Sequence, residues 1–202
     1  MGRKSIAKER RPLSKKAKLW VRELTSLLQN KSLDKLTLDE IAELAGKSKS
    51  TIYTYFSTKE EIYMAVIQSI LDEIDFVISA EAIEGDDLEQ VYRNLLLKLS
   101  EGIQGLSISF IEQIQLFFPE AWSLIEVFSR KVIANFVRIY QKGMERGDFK
   151  TFNIDLLTAL DNHFIMSIMT NANKFEGQGL SFHDLVTEYL ELRLSALRVE
   201  KD

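Results

Sequence analysis

Cysteine is absent from this chain of 202 residues, and several other residue types are scarce. Without cysteine the protein forms no disulfides and carries no thiol chemistry. The two histidines, His163 and His183, do not supply the ligand set of a dedicated transition-metal site, so we expect no metal and no other cofactor. Two prolines and nine glycines are few for this length, which favours long helices joined by short connections.

Long apolar runs are also missing. No segment approaches the roughly 20 apolar residues that cross a bilayer, so we expect no membrane helix and no membrane partner. The charged N-terminus lacks the apolar core of a signal peptide, and we therefore expect a cytoplasmic protein. The chain has no Walker loop, GxSxG motif or dinucleotide fingerprint, and the acidic pair Asp86 and Asp87 stands in a polar stretch. We expect that the protein is not an enzyme.

Charge is distributed unevenly along the chain. The net charge is −4, yet residues 1–60 hold 14 Lys+Arg against 7 Asp+Glu, whereas residues 61–202 hold 12 against 23. A basic segment joined to an acidic remainder is expected when one end of a molecule meets phosphate. The first eighteen residues are the most basic part. Residues 1–12 form either a solvated, disordered tail or an arm that follows the DNA backbone or its minor groove.

The segment 37–59, TLDEIAELAGKSKSTIYTYFSTK, has the pattern of two short helices joined by a tight turn. Thr37 and Glu40 have the spacing of a capping box, and Gly46 suits the left-handed turn that ends a helix. Ile52 and Phe56 then fall four residues apart and predict the buried side of a second helix. This pattern is typical of a helix-turn-helix, whose second helix enters the DNA major groove. Similar patterns occur in all-α domains with no nucleic-acid role, so periodicity alone leaves both interpretations open.

A residue-by-residue resemblance favours the first interpretation. The TetR family of bacterial transcriptional regulators has, over its second and third helices, a pattern close to IAxxAGVSKGTLYxxFxSKExL. The matching positions here are Ile41, Ala42, Ala45, Gly46, Ser48, Lys49, Thr51, Ile52, Tyr53, Phe56, Lys59, Glu60 and Ile62. The segment resembles the DNA-binding domain of that family. It departs from the pattern at Lys47, Ser50 and Ser32, where the family usually has Val, Gly and Gly.

The resemblance implies a set of DNA-contacting residues on and around the second helix of the motif. We expect contacts from Thr37, Lys47, Lys49, Ser50, Thr51, Tyr53, Thr54, Tyr55 and Lys59. The family pattern implies that Tyr53 and Lys59 mainly bind phosphates. Short side chains such as Thr54 suit a thymine methyl or a base amine. Lys47 either contacts a phosphate or covers the turn with its aliphatic stem.

Helical periodicity continues through the rest of the chain, with no sustained alternation that would indicate a sheet. The predicted helices span 14–29, the two helices of the motif, 58–80, 87–103, 106–117, 119–146, 154–173 and 181–199. We therefore predict an all-α protein of about nine helices. An N-terminal three-helix DNA-binding domain, residues 1–60, precedes a helical effector-binding and dimerisation domain, residues 61–202.

The last two predicted helices carry more apolar positions than one intramolecular face needs. In the family, the last two helices pair with those of a second subunit, and the segment ERGDF at 145–149 resembles the joint before them. We expect a homodimer interface that includes Leu157, Leu160, Phe164, Ile168, Leu185, Tyr189 and Leu192. The alternative is a wider intramolecular core.

The resemblance also implies a small-molecule site inside the second domain. The aromatic stretch 107–122 is consistent with an apolar cavity with a few polar anchors, although such a stretch is more often plain core. The candidate lining residues for an apolar or aromatic effector are Phe110, Gln113, Phe117, Trp122, Phe128, His163 and Met166.

Together these features predict a DNA-binding transcriptional repressor that a small-molecule effector releases from a palindromic operator. Three alternatives remain open. The protein could bind DNA under the control of a protein partner instead of an effector. It could be an all-α protein-interaction module, or a small helical enzyme.

Overall fold

The computed structural model describes residues 11–81, 87–103, 106–176 and 182–199 of the chain, with the side chains at 77–81, 108, 168–176 and 182–183 excepted. Nearly all of these residues are helical. The helices are α1 Lys15–Leu28, α2 Leu38–Leu44, α3 Lys49–Tyr55, α4 Lys59–Glu81, α5 Leu88–Ile103, α6 Ile108–Phe117, α7 Pro119–Arg146, α8 Ile154–Glu176 and α9 Phe182–Leu197.

Local chemistry explains where the helices begin and end. Ser14, Thr37, Ser48 and Ser107 each cap a helix by accepting a hydrogen bond from a backbone amide of the first turn, at 3.1–3.2 Å. At the other end of α2, Gly46 has φ +60°, which a residue with a side chain adopts only at a cost.

Two further features define the long helix α7. Pro119 occupies its first turn, where a missing amide hydrogen leaves no hydrogen bond unmade. Gly147 ends it with φ +74°. A modified capping box opens α4: the Glu61 amide donates to the Thr58 hydroxyl at 3.2 Å, whereas the Glu61 carboxylate accepts from the amide of Ser57.

The first of two apolar cores joins the N-terminal helices to α6 and the start of α7. Leu24 and Ile52 are fully buried in it, and so is Phe110 of α6. The ring of Tyr63 on α4 meets that of Phe118 edge-on at 4.5 Å between centroids. The DNA-binding segment therefore rests on α6 and α7 as well as on α4.

The second core lies between α5, α7, α8 and α9. Phe136 and Tyr140 of α7 are fully buried there beside Tyr92 of α5. Helix α4 belongs to both cores, because Val66 is buried in the first and Ile74 in the second. Any shift of α4 in the second core is thereby transmitted to the first. The predicted division of the chain at residue 60 stays a prediction, since the first core continues past it.

The all-α prediction is confirmed for the described residues, which contain nine helices and no strand. Phe149 and Arg198 form one isolated antiparallel bridge, in which the Lys150 amide donates to the Leu197 carbonyl at 2.8 Å. This bridge fastens the end of α9 to the α7–α8 connection. Among the described helices, none combines the length and the apolar character needed to cross a bilayer.

Candidate nucleic-acid interface and interior cavities

Helix α3 is held to the first core by two residues of its inner side. Ile52 is fully buried, and Phe56, which ends the helix, is 4% exposed. The Phe56 ring meets the Trp20 ring of α1 edge-on at 6.0 Å. Because α3 has only seven residues, these contacts rather than helix propensity determine its position.

The opposite side of α3 faces outward. Lys49 and Ser50 are exposed, Tyr53 is 44% exposed, and Thr51 and Thr54 are half-buried. The Thr54 hydroxyl donates to the Ser50 carbonyl at 2.8 Å, which leaves its lone pairs available to accept from a base amine. These side chains form a short polar surface suited to base edges and phosphates.

Lys49 is paired within the protein. Its Nζ lies 2.6 Å from the Asp39 carboxylate of α2, and both side chains remain largely exposed. The hydrogen bond to Asp39 raises the pKa of Lys49, so the amine stays charged at neutral pH. A DNA phosphate must compete with Asp39 for this charge. Asp39 was not among the predicted site residues, since it lies ten residues away and on another helix.

Lys59 has a structural role in the protein without DNA. Its Nζ donates to the Leu33 carbonyl at 3.2 Å and to the Asp34 carbonyl, and it lies 5.6 Å from the centre of the Phe118 ring. These contacts hold the connection between α1 and α2. Its predicted phosphate contact stays a prediction. To bind a phosphate, the ammonium group would have to leave these carbonyls or contact the phosphate and the carbonyls together.

The remaining predicted DNA contacts lie around the same surface. Thr37 forms a complete capping box: its amide donates to the Glu40 carboxylate at 2.7 Å, which helps to lower the pKa of Glu40. The Tyr55 hydroxyl lies 3.3 Å from that of Ser14. Lys47 is half-buried in the turn between α2 and α3. Most of the basic N-terminal arm, residues 1–10, lies outside the described residues.

Two small apolar cavities lie deep in the second domain. The larger, about 30 Å³, is enclosed by α4, α5, α7 and α8, and its walls include Ile74 of α4 together with Phe128 and Met166. The smaller, about 20 Å³, lies between α5, α8 and α9. The two share Leu99, Ile103 and Ile165 as walls. Phe128 and Met166 are the two predicted effector-site residues found at these cavities.

The other predicted effector-site residues do not line these two cavities. Phe110 is fully buried in the first core and Trp122 is 9% exposed there, because the inner side of α6 and the start of α7 face the N-terminal helices. Phe117 is 46% exposed and His163 is exposed. Gln113 instead binds the α1–α2 connection. A helical stripe of aromatic residues shows that a face is buried but not which neighbour buries it.

Gln113 makes a contact that the sequence did not reveal. Its Oε1 accepts from the Leu33 amide at 2.7 Å, and its Nε2 donates to the Lys31 carbonyl at 3.0 Å. Ser107, at the start of α6, donates through its hydroxyl to the Gln29 carbonyl at 2.6 Å. Helix α6 is thus fastened to both sides of the α1–α2 connection by polar contacts between residues about 80 positions apart.

Some of the residues predicted for a dimer interface are exposed on α8 and α9. Leu160 is 48% exposed and Leu192 is 69% exposed, and the neighbouring Leu156, which the prediction omitted, is 58% exposed. These exposed leucines lie on two helices that pack against each other. The side chain of Ile168 lies outside those described, and Leu185 is half-buried.

The other predicted interface residues pack within their own subunit. Leu157 is 5% exposed in the second core. Phe164 and Tyr189 stack on each other with their rings 3.6 Å apart and 9° from parallel. The Tyr189 hydroxyl also donates to Asp161 at 2.5 Å. Leu157, Phe164 and Tyr189 thus make contacts within one subunit, as the alternative of a wider intramolecular core expects. Their predicted place in a dimer interface stays a prediction.

A buried polar cluster links four helices in the second core. Asp161 of α8 is 1% exposed, and its side chain accepts from Arg193 Nε at 3.0 Å, from Tyr189 and from Tyr140. The Arg193 guanidinium also donates to the Tyr140 hydroxyl and to the Leu157 carbonyl, each at 3.2 Å. The charge of Asp161 is thus compensated by one cation and two phenols.

Burial dominates the protonation of this cluster. It raises the pKa of Tyr140 and Tyr189 well above the usual value, and the nearby Asp161 carboxylate raises both further. Burial raises the pKa of Tyr92 in the same way. The phenols therefore stay protonated and act as hydrogen-bond donors. Within the described part of the chain, no group of three or more potential metal ligands comes together.

These features together define a class of protein: an all-helical DNA-binding protein with an N-terminal helix-turn-helix. Residues 24–66 match the family model of bacterial regulatory proteins of the tetR family. This segment therefore has the helix-turn-helix domain of that family. Proteins of this family are typically not enzymes.

Individual relatives agree with this assignment. The chain is 22% identical over 122 residues to YvaF of Bacillus subtilis, an uncharacterised HTH-type transcriptional regulator, and that match covers 59% of this chain and 64% of YvaF. It therefore spans less than two thirds of that relative. The chain is 54% identical over 35 residues to the regulator RutR of Escherichia coli, covering 17% and 16% of the two chains.

The fold as a whole resembles solved structures of the family. The TetR-family transcriptional regulator PfmR of Thermus thermophilus aligns with a TM-score of 0.70 at 18% identity, over 91% of this chain and 97% of PfmR. At this identity the likeness concerns the fold alone.

Proposed function

We propose that this regulator is a cytoplasmic, homodimeric repressor that an apolar small molecule releases from a palindromic operator. The carrying observation is the outer surface of α3. Lys49, Ser50 and Tyr53 project there from a helix whose inner side is fully buried. Two copies of this helix would enter successive major grooves about one helical turn apart.

The position of α4 supports release by an effector. Ile74 of α4 forms part of the wall of the larger apolar cavity, and Val66, two turns earlier, is buried in the core that supports α3. A cavity of about 30 Å³ is far smaller than the roughly 300 Å³ of a typical ligand site. An effector must therefore enlarge it by moving its walls, and displacing α4 would displace the DNA-binding helices.

Helix α6 supports a second route of coupling. Gln113 and Ser107 bind the α1–α2 connection, and Glu60, at the start of α4, accepts from the backbone amide of Glu120 at the start of α7, at 3.1 Å. These contacts link the DNA-binding helices to two elements of the second domain. An effector that prefers the enlarged cavity would shift the equilibrium only by its difference in affinity for the two arrangements.

The exposed leucines of α8 and α9 support the homodimer. Leu156, Leu160 and Leu192 together form an apolar surface that a second copy would cover. In a symmetric pair the same surface of each subunit would face its counterpart.

The proposal is tested first by its DNA binding. In vitro selection from random duplexes should yield a two-fold symmetric sequence. Lys49→Ala should weaken binding to it and reduce the log–log salt slope by about 0.9 for each phosphate that the variant no longer neutralises. Lys150→Ala, a change at an exposed lysine of the α7–α8 connection, is the matched control. Salt slopes that are the same in both variants would show that Lys49 does not bind phosphate, and failure to select any duplex would refute the proposal.

The effector is tested separately. Apolar compounds should raise the melting temperature and reduce operator affinity. The variant Met166→Trp adds more volume than the larger cavity holds, so it should move the same walls as the effector and weaken operator binding in the effector's absence. A response that persists unchanged in this variant would place the effector elsewhere.

Control by a protein partner is the second candidate. The small size of the two interior cavities favours it, and so does the apolar outer face of α6, where Leu116 is 73% exposed and Phe117 is 46% exposed. In that case Met166→Trp would have no regulatory effect, whereas Leu116→Ser would abolish the response to the partner.

A further inference from the structure

An open cleft separates α1 from α4 and α5 at the joint between the DNA-binding helices and the second domain. Its volume is about 460 Å³, within the size range of small-molecule sites. The cleft is distinct from the two apolar cavities. Among the described lining residues, Ile74 is shared by the cleft and the larger cavity. The two sides of the cleft belong to the two parts of the molecule that move relative to each other in the proposed mechanism.

Two polar groups on the α1 side lack partners. Gln29 is only 9% exposed, and its Oε1 accepts from the Ser107 amide at 2.5 Å, but its Nε2 donates to no group among the described residues. Thr25, one turn earlier, also lines the cleft, and its buried hydroxyl has no hydrogen-bond partner in the described structure. Of these two groups the Thr25 hydroxyl is the buried one, and a buried hydroxyl left unpaired is costly, so an acceptor placed beside it would contribute binding energy.

The Thr25 hydroxyl would have to rotate about χ1 to face the cleft. Threonine in a helix occupies two χ1 rotamers, and a 120° step between them moves the hydroxyl to a different staggered position on Cβ while the methyl group moves with it. With that rotation, Thr25 and Gln29 present two donors, one helical turn apart, to the same space.

Charges of both signs surround these donors. Arg22 of α1 and Glu73 of α4 form an exposed ion pair at 2.5 Å, and Lys98 and Glu101 of α5 also line the cleft. A ligand with a single net charge would meet a like charge on one side of the cleft. A zwitterion avoids this, because its ammonium group can face the carboxylates while its own carboxylate is hydrogen-bonded by the donors of α1.

The floor of the cleft is apolar. Ile70 and Ile74 of α4 and Leu106 before α6 lie along it. This surface would accommodate an aliphatic side chain.

We propose that this cleft binds a free α-amino acid with an aliphatic side chain. Its carboxylate accepts from Gln29 Nε2 and the Thr25 hydroxyl, its ammonium group lies towards Glu73 and Glu101, and its side chain packs on the apolar floor. Such a ligand contacts α1 and α5 together and restrains the DNA-binding helices against the second domain. Its effect on operator affinity rests on the proposed function, whereas its binding does not.

The test is calorimetric titration of the full-length protein with L-leucine, L-isoleucine and L-valine, together with chemical-shift mapping by NMR. We expect at least one to bind with a dissociation constant below about 10 mM, a modest affinity for so small a ligand. We expect the shifts to be concentrated in α1, α4 and α5. Leucinamide, which lacks the carboxylate, should bind at least about tenfold more weakly.

Two variants locate the site. Thr25→Val retains the shape of the side chain and should weaken binding about tenfold. Gln29→Glu retains the acceptor for Ser107 but places a carboxylate where the donor was, and it should abolish binding. Thr187→Val, at the other buried hydroxyl without a partner in the described structure, is the matched control and should leave binding unchanged.

Three results would overturn the assignment. These are no binding by any of the three amino acids, shifts confined to helices outside the cleft, or equal affinity in the wild type and Thr25→Val. Because none of these readouts involves DNA, their failure would leave the operator-binding proposal intact.

Discussion

Replacing Arg193 by methionine should destabilise the protein far more than breaking an exposed ion pair does. The guanidinium is 11% exposed and compensates Asp161, which is 1% exposed. Methionine preserves much of the aliphatic stem but leaves the carboxylate with only the donors of Tyr140 and Tyr189. Removing one partner of a buried pair costs about 3–5 kcal/mol, because the other charge stays buried and uncompensated.

Urea unfolding at a fixed protein concentration would measure this decrease in stability, since the apparent stability of an oligomer depends on concentration. For a domain of this size the melting temperature should fall by about 10 °C. The control is Arg93→Met, which breaks an ion pair with Glu191 at 2.6 Å that is far more exposed to water. We expect little change in that variant.

A double variant isolates the electrostatic part. If the uncompensated charge is the cause, adding Asp161→Asn to Arg193→Met should restore much of the stability. The reasoning would be refuted if Arg193→Met cost no more than Arg93→Met, or if the double variant were less stable than Arg193→Met alone.

Three further predictions concern alkaline stability, packing and assembly. Burial raises the folded-state pKa of Tyr140, so its contribution to stability is complete below the unfolded pKa of about 10 and is lost as the pH rises above that value. Tyr140→Phe should therefore flatten the alkaline fall in the free energy of unfolding by up to about 1.4 kcal/mol per pH unit, and an unchanged slope would contradict this. Gly143→Ala would place a Cβ against the Phe149 ring and should lower the free energy of unfolding by about 1–3 kcal/mol in a urea titration, whereas an unchanged value would show that the ring moves freely. Leu192→Glu should shift the sedimentation coefficient from that of a dimer to that of a monomer, and a variant that stays dimeric would exclude this part of α9 from the interface.

The helix boundaries were largely predictable because their signals are local. Each signal fixes a helix end only a few residues away. The signals are the capping box of Thr37 and Glu40, the left-handed glycines Gly46 and Gly147, and Pro119. The predicted and observed ends differ by a few residues at most, and the class of the fold followed from them.

The outer surface of α3 was also accessible from sequence. Ile52 and Phe56 indicate the buried side of a short helix, so the exposed side follows by geometry. The same reasoning did not extend to the cavity. Phe110 and Trp122 are buried in the core that α6 and α7 share with the N-terminal helices, and neither lines the two apolar cavities, so their predicted role at an effector site stays a prediction.

Sequence alone determined where the helices of this protein begin and end, which side of each is buried, and which segment forms the helix-turn-helix, because each depends on residues within a few turns of one another. Only the tertiary structure decided which helix covers which face. It brought five residues into one buried cluster from four helices spread over about 100 positions: Tyr92, Tyr140, Asp161, Tyr189 and Arg193. It also placed the Gln113 side chain where it accepts a hydrogen bond from the Leu33 amide. Hydrogen bonds between such distant residues leave no periodic signal, because the partners meet only after the helices have packed.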